Sequence, residues 1–161
     1  MDFINPHTGW AVCDTGLVMR TDDGAANWTR QSVSPKDNLI DVEILNANRG
    51  WAKAPHRKVS EQDPAGTWLF QTINGGASWD STWFRDELFW GMSFIDANNG
   101  WMGGEQGALL GTTDGGQTWL EGVYEPGATT GFAMEHVSFV NPQIGYGVGG
   151  RFDLTSTIWT T

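Results

Sequence analysis

Cysteine is nearly absent, with Cys13 the single one in 161 residues. No intrachain disulfide and no cysteine-built zinc site can form. Cys13 lies in a strand-like run and is expected to be a buried, inert thiol. Basic residues are also scarce, 9 against 19 acidic ones, for a formal net charge of −10. Such a surface repels phosphate backbones and anionic lipid, which argues against a nucleic-acid partner. No apolar run is long enough to span a bilayer, so membrane insertion is not expected. The opening Met1-Asp2-Phe3-Ile4-Asn5-Pro6 has neither the basic nor the apolar region of a signal peptide. No segment keeps a 3.6-residue period, so helices are expected to be few.

What the chain has in quantity is glycine and tryptophan, 22 and 10 residues. Glycine without a collagen period points to many tight turns. Tryptophan brings large buried area with one N–H to place. Together they fit short strands packed face to face.

The order of these residues repeats. Phe3-Ile4-Asn5-Pro6-His7-Thr8-Gly9-Trp10 returns as Ile44 to Trp51, Phe94 to Trp101 and Phe139 to Tyr146, without gaps. Apolar Met1, Val42, Met92 and Val137 stand two residues before each copy. That alternation reads as a half-buried strand. The Asn or Asp then starts a turn, the Gly closes it, and the aromatic residue opens a second strand. A second motif interleaves: Thr21-Asp22-Asp23-Gly24 to Trp28, Thr72-Ile73-Asn74-Gly75 to Trp79, and Thr112-Thr113-Asp114-Gly115 to Trp119. Asp-Gly or Asn-Gly between β-rich runs is a strong hairpin signal, because the turn needs positive φ. Each unit therefore reads as four strands, recurring about every 40–50 residues, the range of a propeller blade. Extra length falls at Pro55 to Gly66 and around Pro126-Gly127, both read as rim loops.

These residues resemble the Asp-box, or BNR, repeat found in many β-propellers. The paired motif from Phe94 to Trp119 looks most like the Ycf48/HCF136-like photosystem II assembly factor group. In the second unit Asn74 stands where that pattern has Asp. The resemblance implies an all-β propeller of four-stranded antiparallel blades, at approximately 1–38, 39–87, 88–132 and 133–161. It implies a rigid scaffold that binds a protein or peptide partner, in an extracellular, periplasmic or lumenal setting. It also gives the box residues Thr21, Asp23, Gly24, Trp28, Thr72, Asn74, Gly75, Trp79, Thr112, Asp114, Gly115 and Trp119 a structural role rather than a catalytic one. Matching Thr160 to Thr21, Thr72 and Thr112 leaves the fourth blade short of its last turn and strand. Self-association that completes a larger ring, or a place within a longer protein, is expected ahead of closure as a four-bladed disc.

Candidate chemistry is thin. His7, His56 and His136 share no metal-ligand spacing. Asp22-Asp23-Gly24 is too short for an EF-hand loop. The alternative is a carbohydrate-active module, a sialidase- or glucanase-like hydrolase or a sugar binder. No acid pair stands out for glycoside hydrolysis. The arginines, Arg20, Arg30, Arg49, Arg57, Arg85 and Arg151, lack a sialidase signature. Of the two tyrosines, Tyr124 and Tyr146, the second is a repeat aromatic and expected in the core. No catalytic, cofactor or metal residue is assigned. The repeat residues Trp10, Trp28, Trp51, Trp79, Trp101 and Trp119 are expected to be structural. Trp68 and the dense run Trp83, Phe84, Arg85, Phe89 and Trp90 fall outside the repeat, and this run is the candidate partner surface, since aromatics and Arg concentrate at binding hot spots.

Overall fold

Alternating apolar residues and Asx-Gly turns give strands paired only to their chain neighbours. A computed structural model describes residues 1–57, 60–122, 132–150 and 157–160. The first sheet runs β1 (Asp2–Phe3), β2 (Gly9–Val12), β3 (Leu17–Thr21), β4 (Thr29–Ser32). The second runs β5 (Asp41–Ile44), β6 (Gly50–His56), β7 (Gly66–Thr72), β8 (Asp80–Arg85). The third runs β9 (Phe89–Phe94), β10 (Gly100–Gly104), β11 (Leu109–Thr112), β12 (Leu120–Glu121). The fourth holds β13 (His136–Asn141), β14 (Ile144–Gly149) and β15 (Thr157–Thr160). Every pairing is antiparallel, the blade arrangement of a β-propeller. Short 3₁₀ turns at Asp14–Gly16 and Glu105–Gly107 join the middle strands of the first and third sheets. Among the described residues no helix is long and apolar enough to cross a membrane.

Two compact units divide the chain, Met1–Asp86 and Glu87–Thr161. Within the first, Trp10 and Val18 of one sheet share a core with Val42, Ile44, Ala52, Ala54 and Phe70 of the next. The Asp2 carboxylate adds a tie, accepting from the Ile44 N–H at 2.7 Å. Within the second unit, Trp101 and Leu109 pack with Val137, Phe139 and Met134.

The turns follow the reading of the repeat. Asn5 Oδ1 accepts from the N–H groups of His7 and Thr8, both at 2.8 Å. Asn46 and Asp96 do the same in their own turns, and Asn141 Oδ1 accepts from Gln143 N–H. The glycine before each aromatic residue has a different role from the one expected. Gly9, Gly50, Gly100 and Gly145 are extended strand residues, paired across from Phe3, Ile44, Phe94 and Phe139. A methyl group at any of them would run into that facing side chain. Close approach, and not turn geometry, requires glycine there.

Three further expectations need correction. Cys13 is exposed. It follows β2 and precedes the 3₁₀ turn, so it has left the strand alternation. Tyr146 is 44% exposed, because on its side of β14 no described segment covers it. Thr160 pairs with Tyr146 as Arg20 pairs with Trp10, so Thr160 is the counterpart of Arg20 and not of Thr21. The region around Pro126-Gly127, with Tyr124 and Arg151, lies outside the described residues.

Candidate functional site

The three interleaved turns have one shared geometry. The Thr21, Thr72 and Thr112 hydroxyls are buried where their strands end. They donate to Asp23 Oδ1, Asn74 Oδ1 and Asp114 Oδ1 at 2.9, 3.0 and 2.8 Å. The threonine hydroxyl oxygens also accept from the N–H groups of Ala25, Gly76 and Gly116. The Asx side chains then accept from the N–H groups of Asn27, Ser78 and Thr118 at 2.8 to 2.9 Å. Gly24, Gly75 and Gly115 adopt φ of 72°, 69° and 76°. Their N–H groups donate 2.8 Å bonds to the carbonyls of His7, Asn48 and Asn98, which ties each turn to the first turn of its sheet. Trp28 and Trp119 close the unit edge-to-face on Phe3 and Phe94, and Trp79 packs against the first core.

Charge separates the first and third turns from the second. Bonds from the Thr118 hydroxyl and N–H hold the Asp114 carboxyl down at about 2. Asp23 is lowered as well, chiefly by the Asn27 side chain. In the middle turn neutral Asn74 accepts from Ser78 N–H and donates to Ser78 Oγ at 2.8 Å. The Thr hydroxyls and Asx side chains are thus hydrogen-bonded within their own turns.

The non-repeat aromatics make a different feature. Trp68 on β7 and Trp83 on β8 are direct cross-strand neighbours, ring centroids 4.8 Å apart. Trp68 also stacks along its strand on Phe70, which anchors it to the buried core. Gly66 leaves room for the Trp83 indole, which a Cβ there would strike. His56, at the end of β6, meets Trp83 edge-to-face at 6.2 Å. Trp68, Trp83 and Phe84 are half-buried and Arg85 is exposed. The result is a rigid aromatic ledge at one end of the second sheet. Phe89 does not belong to such a surface: it is 0% exposed and starts β9. Its place in the strand alternation points it inward, a fact that aromatic density in the sequence concealed. Trp90 is half-buried.

Sequence reading missed two groups beside the ledge. Lys53 is 0% exposed, with Nζ 3.5 Å from Asp41 Oδ2. Burial lowers its amine to about 8, against the opposing pull of Asp41. His56 lies between two carboxylates, Nδ1 2.9 Å from Asp37 and Nε2 2.9 Å from Asp63. The carboxylates sit on opposite ring nitrogens, so the three groups do not converge on a point where a metal would bind. No run of consecutive residues signalled His56, whose two carboxylates come from separate segments. For Lys53 the signal was its place in an otherwise apolar Trp-Ala-Lys-Ala strand.

No family model matches the chain. A curated relative, photosystem II assembly lipoprotein Ycf48 of Synechococcus sp. (strain CC9902), is 29% identical over 96 residues. That match covers 57% of this chain and 26% of the relative, about a quarter of its length. A solved structure, YCF48 bound to D1 peptide, is similar with a TM-score of 0.56 at 20% identity. The likeness covers 92% of this chain and 60% of that one.

Proposed function

We infer, from a chain that carries Ycf48-like propeller blades, that this protein is a non-catalytic scaffold that docks a peptide segment of a partner protein. The observation that carries the reading is the ledge of Trp68, Trp83 and His56. Its rings are held by cross-strand pairing and by the core. They offer contact area with little conformational entropy left to lose on binding. The box residues serve as fasteners that keep the sheets rigid beneath it. The solved YCF48 holds a D1 peptide, which makes that peptide the natural first probe. The carbohydrate-active alternative is not the one these relatives favour.

Titrating a D1-derived peptide into the chain should change tryptophan fluorescence saturably, and Trp83→Ala should abolish the change while leaving the fold intact. No response from the parent chain, or an unaltered response from Trp83→Ala, defeats the reading.

Self-association is a second partner expectation. One face of β13–β14 exposes Val140, Ile144, Tyr146 and Val148, at 71, 46, 44 and 38%. Within each unit such a face is covered by alternating apolar residues of a first strand, as Trp10 is by Val42 and Ile44. Met1, 78% exposed, and half-buried Phe3 present that pattern, so a second copy fits. Light scattering at micromolar concentration should give at least twice the chain mass of 17.7 kDa. A stable monomer rules this out.

A further inference from the structure

The ring of His56 joins two segments that are otherwise separate in the sequence. Asp37 lies on residues 33–40, between β4 and β5, and Asp63 on residues 57–65, between β6 and β7. Both contacts are 2.9 Å and engage opposite ring nitrogens. An ionised carboxylate only accepts hydrogen bonds. Both nitrogens must therefore donate, which the imidazolium does and the neutral ring does not. Without its second proton the ring would turn a lone pair onto a carboxylate oxygen.

The two segments differ in how they are held. Residues 33–40 are fixed to the first sheet by backbone bonds, from Gly16 N–H to the Asp37 carbonyl at 2.8 Å and from Val33 N–H to the Gly16 carbonyl at 2.9 Å. Leu39 N–H bonds the Cys13 carbonyl at 3.2 Å, and Ile40 N–H bonds the Lys53 carbonyl at 2.9 Å. Residues 60–63 form a local turn, with Asp63 N–H on the Ser60 carbonyl at 3.2 Å, and the Ala65 carbonyl accepts from Asp86 N–H at 2.8 Å. The first segment is a frame, and the 60–63 turn meets it through Asp63 and the His56 ring.

We propose that Asp37, His56 and Asp63 form a proton-operated clamp, in which doubly protonated His56 pins the 60–63 turn to the 33–40 segment and loss of one proton releases Asp63 from the ring.

Lys36 shares the first segment with Asp37, and Arg57 and Glu61 share the loop with Asp63. Arg85 and Asp86 lie at the end of β8 and pair with each other at 3.5 Å. Lys58 lies outside the described residues. Asp37 and Asp63 are the groups bonded to the ring, and their charges oppose loss of its proton. The bond to Asp37, then that to Asp63, raises His56 above its ordinary value, and burial opposes this more weakly. A raised value means that the clamp is fully closed below the ordinary histidine pKa of about 6.5 and opens as pH climbs through the folded value. Trp83, edge-on to His56, lies where it can report the change.

The test uses the full chain without any ligand. Imidazole ¹⁵N shifts of His56 are followed by NMR across its titration, and amide exchange protection of residues 60–65 is compared below and above its midpoint. The midpoint should lie above the ordinary value, and protection should fall about tenfold for each unit of that rise that Asp63→Asn removes. Asp63→Asn should return the midpoint toward the ordinary value and make loop protection independent of pH. If that variant does not fold, the parent titration decides alone. An ordinary midpoint, a neutral ring at pH 6, or protection that ignores the titration overturns the clamp.

Discussion

The indole of Trp101 lies flat on the phenyl ring of Phe139, centroids 3.8 Å apart and planes 4° from parallel. Ring quadrupoles favour offset or edge-on geometry over a direct sandwich. Burial of both rings therefore dominates here, at 9% and 8% exposure. This pair is the seam between the third and fourth sheets, inside one compact unit. Phe139→Ala should cost about 3–5 kcal/mol in chemical denaturation, the range for a truncated core aromatic. A loss below about 1 kcal/mol would show that the seam does not rest on this stack.

The box turns predict an order among mutants. Asp114→Ala should lower the denaturant midpoint more than Asn74→Ala, because an ionised acceptor binds backbone N–H groups more strongly than an amide. The two also separate with pH. The carboxyl of Asp114 is held at about 2, so its contribution is complete above the ordinary Asp value. It fades as pH falls through the folded value. Asp114→Asn should flatten the acid limb of the stability curve. Equal midpoints, or an unchanged acid limb, would contradict the charge argument.

Gly100 faces Phe94 with no room for a methyl group. Gly100→Ala should destabilise by about 1–3 kcal/mol through overpacking. Adding Phe94→Leu should recover part of that loss, since the smaller side chain vacates the space. Additive costs in a double-mutant cycle would break the link between the two residues.

Lys53 predicts a rise of stability with alkali. Its folded value is about 8, below that of the unfolded chain. Between the two values the unfolded state binds more protons, so stability increases with pH in that window. Lys53→Met should remove this slope. Near neutral pH it should leave stability unchanged or raise it by about 1–3 kcal/mol, as replacing a buried charge with a well-fitting apolar side chain often does. A strong loss on Lys53→Met would mean that the ammonium is a net stabiliser.

The Phe-x-Asn and Thr-x-Asp motifs each act over a few residues. Their turns, their strand pairs and the four-sheet pattern were therefore legible in the chain itself. The Asx acceptors, the positive φ at Gly24, Gly75 and Gly115, and the buried repeat residues Trp10, Trp51 and Trp101 all follow from local order. Packing decided the rest. Gly9 and Gly100 needed the facing ring to show why they are glycine. Phe89 went to the core and Cys13 to the surface, because burial depends on which segment covers a position. His56 acquired its two carboxylates only when the 33–40 segment met the 57–65 loop. Local geometry is written in consecutive residues, whereas desolvation and charge pairing arise between residues that folding alone makes neighbours.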